Sequence, residues 1–381
     1  MSRLPESCDV AIVGAGPGGS LAALRLRRAG HRVVLIDRAR FPRRKVCGAC
    51  VGPAALHLLE VEGLGERIRG LSGHPLRTME LRGPDGQAMI RLRGNLAISR
   101  LAFDQMLVAA AREAGVDFVD GCRVRIGVVA DGGVDLETPQ GSLRASVVVD
   151  AAGLSGAARS PQARRSTRVA SDSRIGAGAS FPANAFTLPE GILQMVVGAE
   201  GYVGLVRVED GSVNVAAALD PAAVAAHGIG LTVERLLRDA GVALPERGPL
   251  ERWRGTPALT WSPATVASER VFRIGDAAGY VEPFTGEGMA WALEGAHRVT
   301  PLVDAAVGGW HDGLIEEWSR LHARTVARRR RTCHLLARGL RHGMVVRCAI
   351  AAAARAPFLA SPFIRVTSRP RTCSPLGGGS S

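Results

Sequence analysis

Hydrophobic positions along this chain switch between two periods, and the switches mark its elements. Residues 9–14, "DVAIVG", form an unbroken apolar run ending in glycine, as a fully buried strand does. "GGSLAALRLRRAG" follows with apolar residues at helical spacing and closes on Gly30, which suits a helix C-cap. "RVVLID" at 32–37 is a second buried strand, so a βαβ unit opens the chain. Pro42 and Pro53 mark an irregular loop over 41–53; a helix is predicted over about 100–114, with strands near 116–130, 133–138 and 146–150. From about 172 to 220 the period falls to two, and "GYVGLVRV" and "SVNVAAAL" flank "EDG", a hairpin signal. "RVFRIG" at 270–275 is a strand that runs into a glycine-rich turn and a helix. From about 310 the pattern is helical and basic, and "LGGGSS" ends the chain as low-complexity sequence.

This succession predicts an α/β fold. A Rossmann-like βαβ cofactor domain is discontinuous, with its first part over 1–170 and its second over 263–315. An inserted β-sheet substrate domain lies at 171–262, and a basic helical tail at 316–381.

A length of 381 residues supports two packed domains, and 46% apolar residues exclude wholesale disorder. Aromatic residues make up only 4%, which argues against a base-stacking surface, so no nucleic-acid partner is expected. The net charge of +13 is concentrated. Thirteen arginines fall from Arg320 to Arg371 and no acidic residue follows Glu317, so the remaining 35 basic residues balance the 35 acidic ones. Such a tail suits an anionic membrane surface or an acidic carrier protein. Seven cysteines show no secreted disulfide framework, and no leader precedes the first strand. The apolar stretch at 343–364 is interrupted by Arg347 and Arg355 and falls short of a membrane span. A cytoplasmic protein is expected, with the tail able to hold it at the inner membrane face.

Gly14, Gly16 and Gly19 in "VGAGPGGS" form GxGxxG between a strand and a helix. The first allows the tight turn, the second lets backbone approach a pyrophosphate, and the third seats the helix close to the strand. Asp37 ends the second strand, where a carboxylate reaches adenosine ribose hydroxyls and would repel a 2′-phosphate. "RIGDAAGYVEPFTGEGMAWALEGA" at 273–296 then points to a flavin. Gly275 and Asp276 follow a strand, where the carboxylate suits a ribityl chain. Gly286 and Gly288 open a helix whose dipole faces the pyrimidine edge. The cofactor predicted is FAD. No second GxGxxG exists, so NAD(P)H or a protein electron donor is expected to act as a transient reductant.

At these motifs the chain resembles the FAD-dependent oxidoreductases that include geranylgeranyl reductases, flavin-dependent halogenases and aromatic-ring hydroxylases. "GAGPGGS" with "LIDR", "FPRRKVCGACVGP", "ISRLAFDQML" and the late glycine segment carry the likeness. "FPRRKVCG" is most similar to the cysteine–glycine loop of the geranylgeranyl reductase branch. The resemblance implies that Arg38 and Arg100 contact FAD, that Cys47 and Gly48 border the isoalloxazine as the catalytic edge, and that 150–153 end a strand under the cofactor. The aromatic "YxWxFP" of those reductases and the halogenase "WxWxIP" are absent, and "GYVGLVRVEDG" stands in that region.

The leading expectation is reduction or dehydrogenation of a carbon–carbon bond in a small apolar, isoprenoid- or polyketide-like substrate. Its alternatives are a monooxygenase acting on an aromatic or polyketide-like substrate, and a flavin-bearing, surface-docked binding protein. Cys47 and Cys50 form a CxxC that reads as a dithiol relay, as half of a zinc site, or as a flavin-side residue beside one that merely packs. No metal is expected. His297 and His322 read as surface or capping residues, and Trp253, Trp261 and Trp291 as core or pocket lining.

Overall fold

A computed structural model of the chain describes residues 4–155, 166–282, 284 and 286–356. Strand β1 (Ser7–Val13), helix α1 (Pro17–Arg28) and strand β2 (Val33–Ile36) form the predicted βαβ unit. A two-residue strand β3 (Cys50–Val51), helices α2 (Pro53–Val61) and α3 (Gly65–Gly70), and the strands β4 (His74–Gly83) and β5 (Gly86–Ala97) follow. Helix α4 (Arg100–Glu113) starts at Ser99, whose side chain accepts from the Ala102 amide. Strands β6 (Asp117–Val119), β7 (Arg125–Ala130), β8 (Gly133–Thr138) and β9 (Gly141–Asp150) come next. Then come β10 (Arg168–Val169), β11 (Ile175–Phe181), β12 (Ile192–Gly198), β13 (Gly201–Arg207), β14 (Val213–Leu219) and helix α5 (Pro221–Asp239). Strands β15 (Arg254–Ala258), β16 (Trp261–Ser262), β17 (Ala267–Ser268) and β18 (Val271–Arg273) lead to helices α6 (Gly288–Gly308), α7 (Gly313–Gly339) and α8 (Gly343–Arg355).

The first sheet has the order β17-β18-β9-β1-β2-β6, and β18, β9, β1, β2 and β6 run parallel. Strand β2 is buried throughout, and β1 from Val10 and β9 from Val147 onward, which explains their continuous apolar runs. Residues 271–273 rejoin this sheet beside 148–150, so the cofactor domain is discontinuous as predicted. The second sheet has the order β15-β11-β14-β13-β12-β4-β5-β3, antiparallel except where β12 meets β4. Its period-two pattern sorts residues to two faces. Val203, Leu205, Val213, Val215 and Ala217 pack under α5, while Tyr202, Gly204, Ala216 and Ala218 face the other way, toward a cleft.

Three features differ from the sequence reading. The boundary at 170 does not match the sheets, because β3, β4 and β5 belong to the second one. Ala88 and Ile90 on β5 are buried and find their cover in α8, through Val346 and Ile350. The segment at 171–262 also holds a helix, α5, which is kinked where Gly228 takes φ +77°. The helix at 313 is no free tail at its start, since Trp318 is buried and its indole N–H donates to the Arg273 carbonyl at 3.1 Å. Pro283 and Thr285 of the late turn, the arginines beyond Arg355 and "LGGGSS" lie outside the described residues.

Candidate functional site

The glycine turn after β1 is shaped by close contacts. Gly14 has φ +107°, and a Cβ there would lie 2.3 Å from the Ala151 carbonyl oxygen; a Cβ on Gly19 would lie 1.8 Å from the Gly14 oxygen. Gly16 differs, because its nearest neighbours would be Arg100 and Arg43 side-chain nitrogens at 3.7 and 3.8 Å. The protein itself therefore leaves room at Gly16, which faces the cleft. Pro17 occupies the first turn of α1, no side chain caps that terminus and no acidic residue sits in its first turn, so its N–H groups and dipole remain available to an anion. Helix α6 brings a second terminus to the same cleft at Gly288, also without a side-chain cap.

The Asp37 side chain is bound to this loop. Its Oδ2 accepts from the Ala15 amide at 2.8 Å and its Oδ1 from the Ala39 amide at 2.9 Å. Arg43 lies between two carboxylates, 3.6 Å from Asp37 and 3.1 Å from Asp104. Asp104 is fully buried and receives two hydrogen bonds from Arg100, one turn earlier on α4, at 2.8 and 2.7 Å. Burial opposes the Arg100 charge, but Asp104 outweighs it and holds the guanidinium above its ordinary pKa. Burial, reinforced by the Arg100 charge, pulls the Lys45 ammonium below its usual range.

A cleft with about 1330 Å³ of empty space, mouth included, gathers Gly16, Gly19, Cys47, Gly48, Arg100, Gly275, Asp276, Gly286 and Gly288 of the sequence-selected residues. Gly14, Asp37 and Arg38 line an adjoining cavity, and Lys45 borders both. Beyond Cys47 the cleft continues over the second sheet, where Leu193, Met195, Leu259 and Phe284 make it apolar. Gly204 and Ala216 keep this chamber open, since a Cβ at Gly204 would already lie 2.9 Å from the Met195 sulfur. Tyr202 and Tyr280, the only two tyrosines of the chain, both line it. Burial pushes both phenols well above their ordinary pKa, helped by the negative charge of Glu282 beside Tyr202 and of Asp276 beside Tyr280. Both remain neutral donors across the working pH range. Glu282 is itself buried and is paired with Arg174 at 3.1 Å.

The loop carrying Cys47 is fixed on the second sheet: Asn214 on β14 donates to the Cys47 carbonyl at 2.9 Å, and Val46 packs on Gly178 of β11. Nothing lies within 4 Å of a Cβ built on Gly48. The Cys50 thiol is buried, contacts the Gly48 carbonyl oxygen at 3.2 Å, and is pushed up to about 12 by burial and then by Cys47. It stays protonated at neutral pH, and no group of three metal-ligating residues occurs among the described residues. Cys50→Ala is accordingly expected to leave turnover and FAD content unchanged within about twofold. A loss of turnover with retained FAD would restore the dithiol relay.

Several residues of the site were not selected from sequence: Arg43, Lys45, Asp104, Tyr202 and Tyr280. Lys45 had a signal, being the only lysine in a chain that otherwise uses arginine. The histidines differ from expectation. His297 Nδ1 lies 2.6 Å from Glu62, which also pairs with Arg25, and His322 is buried beside Trp318. Both positions sit on helix faces turned inward. Trp261 and Trp291 are buried and Trp253 packs edge-to-face on Phe181, so they serve the cores.

Residues 7–166 match the FAD binding domain family. Similar proteins include conditioned medium factor receptor 1 of Dictyostelium discoideum, 26% identical over 76% of this chain and 61% of its own length. Menaquinone reductase of Mycobacterium tuberculosis is 35% identical over 31% of this chain and 30% of its own. The chain thus spans less than two thirds of these relatives. Similar solved structures include a triple mutant of the flavin-dependent brominase Bmp2, with TM-score 0.77 and 16% identity over 95% of this chain and 94% of that one. Halogenase PltM in complex with phloroglucinol and FAD has TM-score 0.75 and 15% identity over 94% and 83%. At such identities the likeness is one of fold, and it matches the FAD-binding sheet together with the second sheet. The chain carries an FAD-binding domain, and FAD is its cofactor. The residues fit that group: a cradle free of Cβ atoms, two uncapped helix termini, and the cations Arg43, Lys45 and Arg100 stand along one cleft.

Proposed function

We propose that this FAD-binding chain is an oxidoreductase that reduces, or in reverse dehydrogenates, a carbon–carbon bond in an apolar isoprenoid- or polyketide-like substrate. The carrying observation is the continuity of the cofactor cleft with an apolar chamber over the second sheet. When bound, FAD supplies two-electron hydride chemistry. The α1 terminus with Arg100 would hold the pyrophosphate, Asp37 and Arg38 the adenosine end, and Gly275 with Asp276 the ribityl chain. Gly286 and Gly288 open α6 toward the pyrimidine edge. Cys47 and Gly48 border the reacting face, and the neutral hydroxyl of Tyr280 can donate a hydrogen bond to the substrate, while that of Tyr202 is engaged with Glu282. The relative named menaquinone reductase supports a reductive role on an apolar substrate. NAD(P)H or a protein donor would deliver the electrons transiently.

The test uses menaquinone as the probe, holoprotein reduced chemically without air, and a parallel reaction under labelled oxygen. Reduced product formed anaerobically, without label, is expected. Product formed only in air and carrying the label would replace this reading with a monooxygenase.

A further inference from the structure

The corner between α7 and α8 has a composition that the cofactor site does not use. Leu335, Met344 and Val345 are 71%, 78% and 50% exposed, and Met344 is the most exposed large apolar side chain among the described residues. Val345 adjoins Gly339, at 3.7 Å from a Cβ built there, so the end of α7 and the start of α8 share one surface. Helix α8 buries Val346, Ile350 and Ala353 against β4 and β5, which turns Met344, Cys348, Ala352 and Arg355 outward. Arg338 and Arg355 are exposed beside this surface and make no ion pair among the described residues, and the chain has no acidic residue after Glu317.

We infer that this corner docks the protein on an anionic lipid bilayer, with Leu335, Met344 and Val345 entering the interface and the arginines meeting lipid phosphates. Charge complementarity selects the surface, because guanidinium groups gather at an anionic membrane; Arg341 and Arg347 are paired with Asp172 and Asp85, whereas Arg338 and Arg355 have no acidic partner among the described residues. Single apolar side chains that project from helices need no preformed partner groove, as interfacial anchors do. No helix among the described residues is long and apolar enough to cross a membrane, so the contact is peripheral. Docking is independent of the chemistry proposed above. It does place the lipid phase next to the chamber, since Val346 and Ile350 share a cluster with Met195, Tyr202 and Leu259.

The experiment is flotation of the full-length holoprotein with phosphatidylcholine vesicles, with and without phosphatidylglycerol. Binding is expected to anionic vesicles, to weaken with salt, and to be absent from neutral ones. Arg338→Gln with Arg355→Gln should lower partitioning about 25-fold, at roughly fivefold per arginine. Met344→Asp with Val345→Asp should lower it by at least about tenfold. Flavin absorbance of these surface variants reports that they are folded. Equal binding to neutral vesicles, no binding to either, or retained binding in both variants would overturn the inference. So would capture by polyglutamate without any vesicle binding, which would indicate an acidic protein partner.

Discussion

Gly19→Ala is expected to yield a chain that no longer retains FAD. The new methyl would be built 1.8 Å from the Gly14 carbonyl oxygen, and neither the strand nor the helix can yield that distance without opening the loop. Affinity for FAD, measured by fluorescence titration of the apoprotein, should fall by roughly 100-fold or more, about 2.7 kcal/mol. Gly16→Ala supplies the contrast. Its methyl meets no protein atom closer than 3.7 Å, so thermal stability of the apoprotein should hold while FAD affinity falls. If both variants bind FAD normally, the cradle is not where the pyrophosphate lies.

The second large effect concerns Asp104. It is fully buried, and Arg100 and Arg43 both pair with it. Asp104→Ala leaves the buried Arg100 guanidinium without its counter-charge, which typically costs about 3–5 kcal/mol, because a desolvated charge loses its compensation. Urea unfolding of the apoprotein should show this loss, and FAD should weaken as Arg100 and Arg43 lose their orientation. A loss below about 1 kcal/mol would mean that water reaches the pair and that Asp104 does not organise the site.

Much of this was legible in the chain. The βαβ unit could be read because its strands are buried on both faces and its glycines punctuate the turn. The return of 271–273 to the first sheet followed from a second strand–glycine–helix pattern. The hairpin of β4 and β5 was harder, because arginines and glutamate line its exposed face and dilute the apolar alternation. Its turn does carry a signal, Pro84-Asp85-Gly86. Asp104 looked like an ordinary helix acid, and only the packing of α4 on α1 shows that the i,i+4 pair with Arg100 is buried. Tyr202 and Tyr280 lie 78 positions apart and meet only when the second sheet closes over the late glycine turn. The inward faces of His297 and His322 depended on the same long-range packing.

A cleft that holds one cofactor at both its adenylate and its flavin ends must favour FAD over FMN, and binding of the two separates the ends. Titration of the apoprotein should show one FAD per chain, and FMN, which lacks the adenylate end, should bind at least about 100-fold more weakly. FMN binding as tightly as FAD, or a protein that stays colourless after incubation with FAD, would contradict it.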